Sequence, residues 1–291
     1  MSSILLQVEG LTIVSDEGVI IDHLSFAVDK SEIIALTGKS GSGKTTIGLA
    51  ILGMLPDGLH WKEGSIIWHG ERSDSIQIPR DSVKWSTLRG REIAYIQQDV
   101  FGIFDPVLRI GKQMTMIVRE LSGKPTKDID TALRSTMKEV GISEIDRVWN
   151  SFPHQLSGGQ LQRCQICLAI VMQPELIIAD EPTSAIDKIH QVEILDLLIH
   201  MRNQYQIAIL CITHEESVVN YLADRIIPLN TTEEKNTERK DQNILRDGMP
   251  EMPVLNVEHL GFTHQYGGLF SKEGAKIKDI NFRLHAGHCM G

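Results

Sequence analysis

The sequence predicts an α/β fold: a mainly parallel core sheet with helices on both faces, a small antiparallel β subdomain ahead of it and a helical subdomain inserted into it. Three observations carry this. Apolar runs at 33–36, 93–96, 176–180, 207–211 and 225–229 alternate with segments of helical period, and strands alternating with helices form parallel sheets. The first of these runs leads directly into a glycine-rich turn and then a helical segment. Residues 4–30 instead alternate short apolar runs with Gly and Asp, the pattern of several short antiparallel strands.

The glycine-rich turn is Gly38-Lys39-Ser40-Gly41-Ser42-Gly43-Lys44-Thr45, which fits G-x-x-x-x-G-K-[ST] in full. Its glycines let the backbone turn tightly and aim N–H groups inward as a nest for phosphate oxygens. Lys44 adds a point charge for the β- and γ-phosphates, and the Thr45 hydroxyl suits Mg²⁺. The helix expected from Thr45 and Thr46 to about residue 55 offers its N-terminus to anions. A merely flexible Gly/Ser turn would not need a buried strand before it and a helix after it.

Further along, residues 64–69 read as a strand, and residues 93–96 as a buried strand ending in Gln97-Gln98-Asp99. Ile110, Met114, Ile117 and Leu121, then Leu133, Met137 and Val140, recur at helical spacing, so residues of about 100–155 form a helical insert. Ser157-Gly158-Gly159-Gln160 opens a helix running to about Met172. Ser-x-x-Gln is a capping box, a purely structural helix start, and the same hydroxyl and glycine N–H groups also make a phosphate site. Residues 176–179 run apolar into Asp180 and Glu181. Two acids after a strand can cap a helix or line a turn; beside a phosphate loop they suit Mg²⁺ binding by Asp180 and water activation by Glu181. His214 follows the strand at 207–211.

Bulk properties set limits. The chain has 291 residues and a net charge of −9, which argues against a nucleic-acid partner. No apolar run approaches the roughly 18 residues of a membrane span, and the N-terminus lacks a signal-peptide pattern. The four cysteines form no disulfide framework, and Cys164 and Cys167 read as small buried helix residues. The chain is expected to be cytosolic.

Residues 230–253 are charged and polar and read as a linker. Beyond it, Val254-Leu255-Asn256-Val257 echoes Leu5-Leu6-Gln7-Val8, and Ile280-Asn281-Phe282 echoes Leu24-Ser25-Phe26, an internal duplication. The expected organisation is one domain over 1–229, the linker, and the start of a second copy over 254–291 that stops just short of its own phosphate loop.

In order, the phosphate loop, Gln98, Leu156-Ser157-Gly158-Gly159-Gln160, residues 176–181, Ser184-Ala185-Ile186-Asp187 and His214 resemble the nucleotide-binding domain of an ABC transporter, a P-loop NTPase. The segment from Phe152 to Gly159 and Glu181-Pro182-Thr183-Ser184 are similar to the peptide/nickel import branch. The first copy resembles one of the two ATPases of nickel importers. The second, with Tyr266-Gly267-Gly268-Leu269-Phe270, resembles the other. The resemblance implies ATP bound by Gly38 through Thr46, Mg²⁺ held by Thr45, Gln98 and Asp180, and hydrolysis by Glu181 with His214 and Gln98. Gln97 adjoins Gln98 and remains an alternative. It implies that Ser157, Gly158, Gly159 and Gln160 reach the γ-phosphate on an opposite domain. It also implies docking to membrane permease subunits at the cytoplasmic face, served indirectly by a substrate-binding protein.

Two departures accompany it. Ile13-Val14-Ser15 offers no aromatic under the adenine, and in the second copy that position falls at His264 or Tyr266. His259, His264, His285 and His288 suggest a metal, but in the family the cargo is handled by other subunits. The cargo stays open among nickel, metal chelates and short peptides. The other readings are a soluble ABC ATPase of DNA repair or translation, and a non-hydrolysing ATP-binding module.

Overall fold

The computed structural model describes residues 4–71, 76–78, 85–184, 188–229, 255–265 and 273–284. The expected linker, Ala185 to Asp187, Tyr266 to Phe270, His285 and His288 lie outside them. The chain divides into two compact units, Met1–Asn236 and Thr237–Gly291.

The first unit opens with β1 (Ile4–Ser15) and β2 (Gly18–Asp29), an antiparallel hairpin turned at Asp16 and Glu17. These are two long strands, where the sequence suggested several short ones. The interrupting Gly10 has φ 57° and sits where the register shifts between Val8 and Leu11. It makes a bulge that bends the strand without ending it. Next come β3 (Ile33–Thr37) and α1 (Lys44–Ile51), which stops four residues before the expected end because Gly53 takes φ 64°. β4 (Leu59–Trp68) starts five residues earlier than expected, because its first half pairs with the far end of β1, and β5 (Ile76–Ile78) completes the antiparallel sheet in the order β2-β1-β4-β5.

After β6 (Ile93–Ile96) come α2 (Ile110–Ser122), α3 (Thr126–Glu139), α4 (Ile145–Asn150), a short 3-10 turn and α5 (Gly158–Met172). Alternation then resumes with β7 (Leu176–Asp180), α6 (Lys188–Tyr205), β8 (Ala208–Ile212), α7 (Glu216–Leu222) and β9 (Arg225–Pro228). The second sheet runs β6-β7-β8-β3-β9, every pair parallel.

The central strands are apolar throughout because both faces are covered. Ile34, Leu36, Ile178, Leu210 and Ile212 pack with α1 and the antiparallel sheet. Their strand neighbours Ile33, Ile177, Ala179, Ile209 and Cys211 pack with the helical segments. Gly48 of α1 lies so close to β7 and β8 that a Cβ there would fall 2.9 Å from Ile212 Cδ1 and 3.4 Å from Ile178 Cγ2. Cys164 and Cys167 are fully buried on α5, and burial pushes the Cys164 thiol up to about 12. α5 ends at Gln173, a left-handed cap with φ 49°.

The second unit contributes the antiparallel pair β10 (Leu255–Gln265) and β11 (Glu273–Leu284). Its register repeats that of β1 and β2. Leu6↔Val28, Gln7↔Ala27, Val8↔Phe26, Leu11↔Leu24 and Ile13↔Ile21 correspond to Leu255↔Leu284, Asn256↔Arg283, Val257↔Phe282, Leu260↔Ile280 and Phe262↔Ile277. The shift in register falls at the same step in both hairpins.

Candidate nucleotide site

The carboxyl edge of the parallel sheet gathers most of the expected site. Leu36 pairs with Ile212 and Ile212 with Asp180, so the ends of β3, β8 and β7 form one row. From that row the chain leaves into the loop at 38–43, into Thr213-His214, and into Glu181. β6 lies beside β7, with Ile96 opposite Ala179, and brings Gln97 and Gln98 to the same edge. Open α/β sheets bind ligands at this edge.

The loop is closed by its own lysine. Lys44 is buried, and its Nζ donates to the carbonyls of Gly38 (2.8 Å) and Lys39 (2.9 Å). Gly41 and Gly43 take φ 80° and 87°, the left-handed region that favours glycine. α1 starts at Lys44 without a side-chain cap, so no side chain competes for its first N–H groups. Thr45 is exposed, while the Ser42 hydroxyl is buried without a hydrogen-bond partner.

Asp180 is 2% exposed. Tyr95 on β6 donates its hydroxyl to Asp180 Oδ2 at 2.9 Å, while Oδ1 is buried with no hydrogen-bond partner. Thr45 lies one turn before Gly48 on the same side of α1, and Asp180 lies two residues beyond Ile178 on the strand face that Gly48 touches. Both therefore lead to the same part of the sheet edge. An orphaned carboxylate oxygen beside a phosphate loop is a fitting ligand for Mg²⁺.

Glu181 takes φ 47°. Its N–H donates to Ile212 (2.8 Å), and its carbonyl accepts from the Ser184 N–H (3.1 Å) and hydroxyl (3.0 Å). The carboxylate meets His214 Nδ1 at 2.6 Å; Glu181 is 11% exposed at its side chain and His214 57%. Behind them Gln191 donates to Thr183 Oγ1 (3.2 Å) and Glu215 Oε2 (3.1 Å). Burial, with the Glu181 and Asp180 carboxylates nearby, raises the Cys211 thiol to about 12.

The two glutamines separate: Gln97 donates to the Asp99 carbonyl (3.3 Å), while Gln98 is exposed. Ser157 forms the capping box, with its hydroxyl accepting from the Gln160 N–H (3.3 Å) and Gln160 Oε1 accepting from the Ser157 N–H (3.2 Å). Gly158 and Gly159 follow at this helix tip, and a Cβ at Gly159 would meet nothing within 4 Å. Among the described residues no hydrogen bond joins residues 157–160 to the phosphate loop. The sequence reading missed Tyr95 and Gln191. A tyrosine inside a buried strand was the available signal, because its hydroxyl must find a partner.

A parallel sheet whose carboxyl edge carries a glycine-rich loop, an acid pair and a histidine defines a phosphate-loop nucleotide-binding protein. The chain belongs to the ABC transporter family, whose model matches residues 21–184. It is 36% identical over 203 residues to the oligopeptide transport ATP-binding protein AmiE of Streptococcus pneumoniae, covering 70% of this chain and 56% of that one. The chain thus spans little more than half of that relative's length. It is 32% identical over 259 residues to the metal-staphylopine import system ATP-binding protein CntD of Staphylococcus aureus, covering 88% and 90%. A dimeric post-hydrolysis structure of the ATP-binding cassette MJ0796 bound to ADP and Pi shares the fold with a TM-score of 0.66 at 23% identity, covering 77% of this chain and 94% of that one.

Proposed function

We propose that the chain is an ATP-binding, ATP-hydrolysing subunit that powers an importer of short peptides, nickel or metal chelates. The observation that carries the reading is the Glu181–His214 pair, one residue beyond the orphaned Asp180 oxygen and beside the phosphate loop. The names of AmiE and CntD support the range of cargo.

Lys44 exchanges its two carbonyl partners for phosphate oxygens of ATP, and the N–H groups of residues 38–46 complete the cradle. Thr45, Asp180 and Gln98 would hold Mg²⁺, which when bound neutralises charge on the β- and γ-phosphates. Glu181 accepts a proton from the attacking water and His214 keeps that carboxylate turned toward it. Ser157, Gly158, Gly159 and Gln160 supply hydroxyl and N–H donors to a nucleotide held by a second domain, so turnover needs two domains face to face. That second domain is another copy or a related chain. The matching registers of the two hairpins support reading 1–229 as one ABC domain, 230–253 as a linker and 254–291 as the start of a second.

The permease partners dock through the helical insert at the cytoplasmic face. Among the described residues no helix is long and apolar enough to cross a membrane, so a peripheral subunit served by separate permeases fits. Glu181→Gln tests the chemistry: the variant should bind ATP as the parent does and lose turnover about a thousandfold or more. Undiminished phosphate release would remove Glu181 from its role.

A further inference from the structure

We propose that Tyr95 is a positioning residue for the divalent-cation site, holding one oxygen of Asp180 so that the other is turned to the cation of bound nucleotide. The inference rests on the ATPase reading above. It starts from the register: Tyr95 lies opposite Ile178, so Asp180, two residues further on, is its diagonal neighbour on the same face. That is the face α1 covers, with Gly48 against Ile178.

The carboxylate is buried, and its two oxygens differ sharply. Oδ2 accepts from the Tyr95 hydroxyl at 2.9 Å, and Oδ1 has no hydrogen-bond partner. A carboxylate rotates about one bond, so fixing one oxygen fixes the direction of the other. An ordinary phenol is protonated at neutral pH, so the Tyr95 hydroxyl is the donor and Asp180 Oδ2 the acceptor. A phenylalanine would pack much as Tyr95 does and leave Asp180 free to turn. Tyr95 also stands three residues before Gln98 on the strand that leads into the helical insert, so it ties that strand to the acid.

Tyr95→Phe in the full chain tests this by equilibrium binding of a fluorescent ATP analogue at increasing Mg²⁺, with Mn²⁺ electron paramagnetic resonance as a second readout. Losing one charge-assisted hydrogen bond predicts an approximately tenfold rise in the Mg²⁺ concentration at half effect. Binding without Mg²⁺ should stay within about twofold of the parent, because the phosphate loop is untouched. The Mn²⁺ line shape of the complex should change. Matching Mg²⁺ dependence in parent and variant would overturn the Tyr95 assignment alone. A parent that ignores Mg²⁺, or takes up no nucleotide, would overturn the ATPase reading instead. Should the phenylalanine variant melt early, the same titrations are run on parent and variant at a temperature below the variant's transition, with circular dichroism confirming that both are folded.

Discussion

Glu181 sits where few side chains sit willingly. Its φ of 47° costs about 1–3 kcal/mol for a non-glycine residue, and bonds to Ile212 and Ser184 hold it there. The strained turn aims the carboxylate at His214, so Glu181→Gln, which keeps the backbone and shape, isolates the chemistry from the fold. The glycines of the phosphate loop can be told apart in the same way. A Cβ on Gly43 would lie 2.6 Å from Ile21 Cδ1, whereas one on Gly41 would meet nothing within 4 Å. Gly41→Ala should cost only left-handed strain, about 1–2 kcal/mol. Gly43→Ala adds a contact that the Ile21 and Ile20 side chains must turn to relieve, so ATP affinity should fall about two- to fivefold further than in the Gly41 variant. Isothermal titration of both variants with ATP checks the order; equal losses would mean the Ile21 contact is irrelevant.

At the level of elements, the motif that opens α5 has a structural role that stands by itself. The capping box of Ser157 and Gln160 is present without any ligand, so the structural reading of Ser-x-x-Gln is correct whatever the serine does to nucleotide. Ser157→Ala should destabilise the chain by about 1 kcal/mol through the lost cap. If the serine also grips a nucleotide on a facing domain, ATP should no longer dimerise a Glu181→Gln background carrying the change. Light scattering with ATP reads this directly, and a dimer that survives would leave the serine a cap only. The hairpin of β1 and β2 was less legible in sequence than α5. Gly10 looks like a strand end to any local reading and is a bulge, because pairing with β4 holds on either side of it, with Glu9 opposite Ser65 and Thr12 opposite Glu63. β5 was missed for a related reason: three residues carry no period, and only the edge of β4 makes them a strand.

For the whole molecule, the parallel sheet was legible because burial on both faces writes long apolar runs into the sequence, and the phosphate loop because its spacing is dictated by phosphate. The row formed by Leu36, Ile212 and Asp180 was not legible. Strand order decides which acid stands near which loop, and that order follows from packing far apart in the chain. Tyr95 escaped for the same reason, since its partner belongs to a strand eighty-five residues later.

The groups proposed to handle nucleotide occupy the carboxyl edge of the sheet, while Gln173, the left-handed cap of α5, lies just before β7 at the opposite edge. Glycine there would relieve the backbone and should add about 0.5–1 kcal/mol, a gain a calorimetric melt would register while ATP affinity stays unchanged. A hardier form of this protein can therefore be sought from its floor upward, leaving the working rim alone.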